Sequence, residues 1–190
     1  MVYLEEMTPD ERPMIEALYL ESFPEIERKP FEMLLKLRKK GKARLLVIHD
    51  EKTREAVGLS FFLQRRDMLL YDYFAIEKRF QSRGYGAAVL RAVEKQFPDA
   101  RIFGEVEPLD PKAPNNEQRK RRLAFYLRNG MKESGIIVDL FGCELQLMYL
   151  GDVPITFEEY ERFLRYIFGW KGYFIVRKNV HFVRMLPPSN

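Results

Sequence analysis

Apolar runs of strand length alternate with amphipathic runs of helical length along the 190-residue chain. Clusters of apolar and β-branched residues between turn residues predict strands, at 2–6, 43–49, 55–64, 68–76, 101–107, 136–141 and 144–150. Apolar residues that recur every three or four positions predict helices, at 9–23, 30–40, 85–96, 116–128 and from 157 on. This succession of elements predicts an α/β fold.

The connections between these elements indicate how the sheet is built. Short turns join the strands at 43–49, 55–64 and 68–76, which predicts an antiparallel meander. From Met68 to Glu107 the order is strand, helix, strand, and a crossover of this kind joins parallel strands. Antiparallel and parallel pairs together predict a mixed α+β sheet.

The length of the chain suits one domain with an appendage. We expect a domain at 1–150 and, packed on it at 151–190, an extra C-terminal helix and β-hairpin. The hairpin is predicted to pair Tyr173–Val176 with Val180–Val183. The aromatic segment 170–185 would cover the sheet, form a wall of the substrate site or make a homodimer contact. The sequence favours none of these three over the others.

Composition excludes several classes of protein. A membrane span needs about 20 consecutive apolar residues, and no apolar run in the sequence approaches that length. The acidic N-terminal residues lack the basic start and apolar middle of a signal peptide. The single Cys143 and the two histidines rule out an internal disulfide framework and the usual zinc sites. We therefore expect a cytoplasmic protein with no membrane contact and no metal.

The net charge of +4 suits a small polyanionic ligand as well as a nucleic acid. The basic run from Arg119 to Arg122 resembles a nucleic-acid patch, but helical spacing disperses these side chains around the helix. A solvated helix face is therefore the default interpretation of this run, and no nucleic-acid partner is predicted.

The most informative segment joins the strand at 68–76 to the helix at 85–96 through a basic turn and two glycines, Gly84 and Gly86. Backbone N–H groups converge at a helix N-terminus, where the macrodipole favours negative charge. Glycines at that point remove the Cβ atoms that would keep a phosphate away from the backbone. The segment therefore predicts a binding site for a pyrophosphate.

A dinucleotide is one candidate ligand for this turn. Gly84 and Gly86 supply the first two glycines of G-x-G-x-x-G, and Glu105 lies near the end of the next strand. Two features count against a dinucleotide. Val89 stands where the third glycine is needed, and the polar residues 77–83 separate the strand from the first glycine. A P-loop fits less well, because no Gly-Lys-Ser/Thr follows.

The whole segment fits another pattern better. Ile76, Phe80, Gln81, Gly84 and Gly86 are spaced as in V-x-x-x-Ψ-Q/R-x-x-G-x-G/A. This spacing is similar to the acetyl-CoA pyrophosphate loop of the GNAT superfamily of N-acetyltransferases.

A second segment supports the same resemblance. The run Ala124-Phe-Tyr126-Leu-Arg-Asn-Gly130-Met resembles that superfamily's A-x-F-Y-x-x-x-G-F segment. The two segments occur in the expected order and structural context, and the resemblance covers roughly residues 43–150. It implies the acyl-CoA N-acyltransferase fold, acetyl-CoA as cosubstrate and a small-molecule or peptide amine as acceptor. The implied coenzyme contacts are Phe74, Ala75, Ile76, Gln81, Ser82, Arg83, Gly84, Tyr85, Gly86, Ala87 and Arg119.

The resemblance also implies catalytic roles. Tyr126 matches the general acid that protonates the departing CoA thiolate. A backbone N–H at Ile76 matches the donor to the thioester oxyanion. Asp72, four residues before Ile76, is favoured as the general base, and Glu105 and Glu107 on the next strand are its competitors. In the alternative, these two glutamates bind a cationic acceptor, for which Glu107 is the expected contact.

Two other functions stay open. A non-catalytic module that binds or senses acyl-CoA would share the fold and the loop. A nucleotide-binding oxidoreductase ranks third, since it depends on the incomplete glycine pattern. Fold by itself does not decide among them.

Overall fold

A computed structural model describes residues 1–186, with the backbone alone for Ile26. The strands are β1 (Val2–Glu6), β2 (Ala43–Asp50), β3 (Ala56–Arg65), β4 (Met68–Ile76), β5 (Arg101–Val106), β6 (Met131–Leu140), β7 (Cys143–Leu150) and β8 (Val180–Met185). The helices are α1 (Arg12–Ser22), α2 (Phe31–Lys39), α3 (Tyr85–Gln96), α4 (Asn116–Arg128), α5 (Phe157–Phe168) and α6 (Gly172–Asn179).

In the described residues, eight strands form one mixed sheet in the order β1-β2-β3-β4-β5-β7-β6-β8. This confirms the predicted fold class. The chain divides into two compact units. The first contains Met1–Gln64 and Tyr71–Ala100, and the second contains Arg65–Leu70 and the described chain from Arg101 on. The predicted boundary between a domain at 1–150 and an appendage at 151–190 stays a prediction.

The core of the first unit forms around Tyr19 of α1, which is fully buried. Its ring lies 5.6 Å from the ring of Phe31 on α2, 6.1 Å from Phe61 on β3 and 4.8 Å from Tyr73 on β4. The Tyr19 hydroxyl donates to the carbonyl oxygen of Lys29 at 2.9 Å. Aromatic packing therefore joins two helices to two strands in this unit.

Helix α1 starts later than predicted. The capping contacts of Thr8 and Glu11 do form, with the Thr8 hydroxyl 2.6 Å from Glu11 Oε2. The helix nevertheless begins at Arg12, not at Pro9. Pro13 has no N–H and its ring would clash with the carbonyl of Pro9, four residues earlier. A helix that contains Pro13 must therefore begin near it.

The second unit contains a longer β6 than the sequence predicts. The strand starts at Met131, and its antiparallel pairing with β7 is irregular between Glu133 and Ile137. Gly135 lies in that interval with φ +79°. The irregular pairing and the neighbouring polar residues interrupt the alternation of polar and apolar positions. The first half of the strand therefore could not be recognised from sequence.

Helix α5 begins where the sequence predicts. The Thr156 side chain accepts from the N–H of Glu159, and the Glu159 carboxylate accepts from the N–H of Thr156. The apolar face of the helix is buried, and the Phe163 ring meets Phe103 of β5 edge-on at 5.1 Å. Arg101 of β5 donates to both Glu159 oxygens at 2.6 and 2.8 Å. One carboxylate therefore both caps α5 and ties it to β5.

The predicted C-terminal hairpin is wrong in its first strand. Gly172–Asn179 forms α6, and the following β8 pairs antiparallel with β6. A Cβ on Gly172 would lie 2.1 Å from the carbonyl oxygen of Arg165, so α6 packs directly on the backbone of α5. This close contact and the burial of Val176 stabilise a helix where the aromatic and β-branched residues favour a strand.

The described residues contain neither a membrane-spanning helix nor a cluster of metal ligands. No helix among them combines the length and the apolar character that crossing a membrane requires. No cluster of three or more His, Cys, Asp or Glu side chains within residues 1–186 is arranged to hold a metal ion.

Candidate active site

A buried aromatic ring fixes the loop that follows β4. A 3-10 turn at Lys78–Phe80 comes directly after the strand. Phe80 is buried, and its ring meets the ring of Tyr85 edge-on at 5.9 Å. The guanidinium groups of Arg79 and Arg83 lie 4.5 and 5.7 Å from the centre of the Phe80 ring. The loop therefore has an apolar anchor beneath a basic surface.

The two arginines of this loop differ in their partners. Arg79 pairs with Glu77 at 2.6 Å and with Glu55 at 2.8 Å. Arg83 has no carboxylate partner among the described residues and is exposed. Arg83 is thus the loop arginine whose charge stays available to an anionic ligand.

The backbone of the loop turns sharply before α3. The Gln81 side-chain amide donates to the carbonyl oxygen of Ile76 at 2.9 Å, which closes the loop on the end of β4. Ser82 and Gly84 have φ of +61° and +82°, in the left-handed region. A Cβ on Gly84 would meet nothing within 4 Å. Within the protein, glycine is therefore needed here for its φ, and the space beside it is open.

The N-terminus of α3 is uncapped. The first intrahelical bond runs from the N–H of Ala88 to the carbonyl oxygen of Gly84 at 3.2 Å. The N–H groups of Tyr85, Gly86 and Ala87 precede it and have no intrahelical acceptor. No side chain caps this end, and its first turn holds no acidic residue. An anion at this end would meet unpaired N–H donors and the positive end of the helix dipole.

A second bond positions the helix start. The Tyr85 hydroxyl donates to Asp50 Oδ2 at 2.8 Å, and Asp50 Oδ1 accepts from the N–H groups of Thr53 and Lys52 at 2.9 and 2.8 Å. These hydrogen bonds lower the pKa of Asp50 to about 2, and the bond from the Thr53 N–H has the largest effect. The turn between β2 and β3 thus holds the first residue of α3.

This depressed pKa predicts a pH-dependent contribution of Asp50 to stability. The contribution is present above the unfolded-state pKa of 3.8 and is lost as pH falls through about 2. We expect Asp50→Asn to unfold at lower denaturant concentration than wild type at pH 7, and the difference to vanish between about pH 4 and pH 2. Denaturant unfolding at each pH measures it. The exposed Asp99→Asn serves as control, and a difference for Asp50→Asn that is constant with pH would contradict the assignment.

A pocket of about 290 Å³ opens in the first unit at the end of β4. Its lining contains four of the predicted coenzyme contacts together with residues of α1 and the loop, namely Phe74, Ala75, Ile76, Gln81, Leu18, Glu21, Ser22 and Lys78. Glu21 and Lys78 form an exposed ion pair of 2.7 Å. Hydrogen bonding to Glu21 raises the pKa of Lys78. The structure thus gathers four predicted residues around one cavity.

Asp72, the favoured base, lies in β4 with a side chain only 7% exposed. Lys29 Nζ donates to its Oδ1 at 2.7 Å. Asp72 Oδ2 has no hydrogen-bond partner among residues 1–186. A buried carboxylate oxygen without a donor is costly unless another group supplies one. One oxygen of Asp72 is therefore occupied by Lys29, and the other is buried with no hydrogen-bond donor among residues 1–186.

Tyr126, the predicted acid, lies on α4 in the second unit and is half-buried. Its ring packs against Val106, Met131 and Met148. Burial raises the pKa of the phenol, and the nearby Arg122 offsets part of that rise. Its hydroxyl makes no hydrogen bond within the described part of the chain. The phenol is therefore protonated at neutral pH and has its hydrogen free to donate.

The predicted ligands Glu107 and Arg119 bind each other. Arg119 Nη2 lies 2.9 Å from Glu107 Oε1, and Arg122 Nη1 lies 3.2 Å from Glu107 Oε2. Arg119 also donates to the side-chain oxygen of Asn115 at 2.8 Å and to the carbonyl oxygen of Pro108 at 2.9 Å. These bonds hold the loop after β5 against the start of α4.

Glu105, the competing base, lies on β5. The hydroxyl of the buried Tyr160 on α5 donates to its Oε1 at 2.7 Å. Both candidate bases therefore accept a hydrogen bond from a side chain distant in sequence. The donor to Asp72 is the Lys29 ammonium, and the donor to Glu105 is the Tyr160 hydroxyl.

Three partners of the candidate site residues and of the loop were not predicted from sequence, namely Asp50, Lys29 and Glu21. Asp50 begins a turn, and a bond from an aspartate side chain to the backbone two residues on is a known turn signal that could have identified it. Lys29 and Glu21 carry no such signal, because their partners Asp72 and Lys78 lie far along the chain.

Comparison with known proteins gives structural matches only. No protein-family model matches the sequence, and neither does any curated protein. A GNAT-family protein from Bacteroides thetaiotaomicron is similar at 22% identity with a TM-score of 0.66, over 79% of this chain and 87% of that one. A chimera of the Vibrio cholerae spermidine N-acetyltransferase and hSSAT is similar at 18% identity with a TM-score of 0.60, over 78% and 94%.

A Bacillus subtilis acetyltransferase in complex with CoA is similar at 17% identity with a TM-score of 0.54, over 80% of this chain and 98% of that one. At these identities the likeness establishes the fold and leaves the activity open. The chain has the fold of the GNAT acetyltransferases, as the two sequence segments indicated.

Proposed function

We propose that this chain, which has the fold of GNAT acetyltransferases, transfers an acetyl group from acetyl-CoA to an amine by direct attack in a ternary complex. The observation that carries the proposal is the uncapped N-terminus of α3, which follows the pocket at the end of β4. A helix start with unpaired N–H groups and a basic loop suits a pyrophosphate.

The donor would bind along the loop and the end of β4. Its pyrophosphate would accept from the N–H groups at Tyr85–Ala87, and Arg83 would neutralise part of its charge. The pantetheine amides would pair with the backbone at Phe74–Ile76, as an added strand does. Arg119 is a further proposed contact. To bind a phosphate of the coenzyme, its guanidinium would have to leave the carboxylate of Glu107.

The reaction needs one hydrogen-bond donor to the oxyanion and two proton transfers, and the chain offers a group for each. The amine nitrogen attacks the thioester carbon, and the Ile76 N–H donates to the oxyanion that forms. The carbon–sulfur bond then breaks, and the Tyr126 hydroxyl gives its proton to the thiolate. The amine loses its proton to a carboxylate, Asp72 or Glu105, directly or through water.

The two candidate bases are distinguished by their variants. We expect Asp72→Asn to lower kcat by about 10²-fold or more, because the proton acceptor is lost. Glu105→Gln keeps an acceptor for Tyr160 and is expected to retain kcat within about threefold of wild type. Initial rates at saturating acetyl-CoA and amine measure both variants. A loss of about 10²-fold in Glu105→Gln alone would move the base to Glu105.

Two measurements test the function itself. Acetyl-CoA is expected to raise the melting temperature of the protein, whereas NAD is expected to have no effect. Release of the free CoA thiol is then followed with a panel of amines that includes polyamines, aminoglycosides and peptide N-termini. Thiol release in the presence of an amine would show that the chain is an N-acetyltransferase. Stabilisation without release from any amine would favour the non-catalytic acyl-CoA-binding module.

The acceptor would be a small-molecule or peptide amine. Glu107 stays a proposed contact for a cationic acceptor, which would compete with Arg119 and Arg122 for its carboxylate. We further propose a cytoplasmic enzyme. The exposed aromatic side chains of Trp170 and Phe174 are proposed to support a homodimer.

A further inference from the structure

Gly58 of β3 has no room for a side chain. A Cβ on this residue would lie 2.3 Å from the carbonyl oxygen of Ala75, 3.0 Å from Ile76 Cδ1 and 3.1 Å from Ile48 Cδ1. The φ of Gly58 lies outside the left-handed region, so its backbone conformation is open to any residue. The contact with the Ala75 carbonyl, not the backbone angle, is what requires glycine here.

The position of this carbonyl oxygen is unusual for a sheet. Side chains project from the faces of a sheet, whereas the carbonyl groups of a paired strand point along its plane. The Ala75 oxygen occupies the place of a side chain on Gly58, so it stands on one face of β3. Directly after Ile76, the Glu77 N–H donates to the carbonyl oxygen of Val57, next to Gly58, at 2.9 Å.

The orientation of that carbonyl fixes the orientation of the next N–H. The structure contains no cis peptide among the described residues. In a trans peptide the C=O of one residue and the N–H of the next point in opposite directions. With the Ala75 oxygen turned onto Gly58, the Ile76 N–H points away from β3. Ala75 and Ile76 both line the pocket at the end of β4.

We propose that Gly58 is a positioning residue for acetyl transfer. The absence of its side chain allows the Ala75–Ile76 peptide to turn, and the turned peptide presents the Ile76 N–H to the thioester oxygen. Gly58 itself touches no substrate. The inference rests on the proposed function and adds a residue to which neither sequence segment of the GNAT resemblance extends.

The variant Gly58→Ala tests the proposal. To reach ordinary van der Waals contact, the methyl group must displace the Ala75 carbonyl by about 1 Å. A misplacement of about 1 Å can cost about 10²-fold in rate. We expect kcat to fall by about 10- to 100-fold, which is more than the rise in the Kd for CoA, because CoA shares the pantetheine pairing at Phe74–Ile76 but has no acetyl oxygen. If Gly58 had only a structural role, Gly58→Ala would lower the melting temperature and leave the kcat of the folded fraction unchanged.

Two further variants separate the carbonyl contact from side-chain crowding. Ile48→Val removes the Cδ1 atom next to Gly58 and is expected to keep wild-type kcat. The double variant Gly58→Ala/Ile48→Val retains the clash with the carbonyl and is expected to stay as slow as Gly58→Ala. Recovery of kcat in the double variant would overturn the proposal.

A measurement on the unaltered protein covers the case in which Gly58→Ala fails to fold. Hydrogen exchange of the Ile76 amide, followed by NMR, is expected to slow more on addition of acetyl-CoA than on addition of CoA. Equal protection by both would overturn the proposal. Absence of acetyl transfer by wild type with every amine would instead reject the proposed function, so the two failures are distinguishable.

Discussion

Tyr126→Phe is expected to lower kcat by about 10²- to 10⁴-fold, the usual contribution of a general acid, while the Kd for acetyl-CoA changes by less than about threefold. The Tyr126 ring packs against Val106, Met131 and Met148, and phenylalanine preserves that packing. Its hydroxyl bonds to no group in residues 1–186, so its removal leaves no donor or acceptor unpaired. The melting temperature is therefore expected to stay within about 2 °C of wild type.

Steady-state rates and calorimetric binding of acetyl-CoA measure this prediction. Tyr149→Phe provides the matched control, because it removes a phenol hydroxyl from β7 in the same unit and is expected to keep wild-type kcat. If Tyr126→Phe turned over as fast as wild type, Tyr126 would be a packing residue and the departing thiolate would take its proton elsewhere.

Ala87→Glu is expected to weaken coenzyme binding and to strengthen the fold at the same time. Ala87 is the third residue of α3, where a glutamate side chain can reach back to the free N–H groups of the helix start. A carboxylate there is expected to stabilise the helix by about 0.3–1 kcal/mol. It would also occupy the donors that a pyrophosphate needs. Since charged hydrogen bonds are worth about 1.5–3 kcal/mol each, the Kd for CoA is expected to rise by about 10- to 100-fold.

The two opposite effects make this prediction specific. Calorimetry measures the Kd for CoA, and denaturant unfolding without ligand measures the stability. Lys95→Gln changes the net charge equally at the opposite end of α3, and it is expected to leave the Kd within about twofold and to lower stability slightly. An unchanged Kd in Ala87→Glu would show that phosphates do not bind at the start of α3.

The loop and the helix after it could be predicted from sequence because their determinants are local. The strand ending at Ile76, the left-handed Gly84 and the amphipathic run of α3 lie within about thirty residues, and turn and helix signals act over that range. The bounds predicted for β4, α3 and α4 agree with the structure at both ends.

The partners of the predicted site residues could not be found in this way. Asp72 meets Lys29, and Glu105 meets Tyr160, each over more than forty positions of sequence. Tertiary packing sets such contacts, and a single sequence carries no periodic trace of them. Helix α6 was not predicted for a different reason, because its local preference for a strand yields to the close contact of Gly172 with the neighbouring helix α5.

The uncapped start of α3 has a consequence for the lifetime of the protein. Three backbone donors left to water make this turn of helix easier to open than the start of α5, which has a complete capping box. A ligand that caps the turn stabilises the folded state by about 2.7 kcal/mol at a concentration of one hundred times its Kd. Resistance of this turn to proteolysis is therefore expected to rise with the concentration of any ligand that caps it.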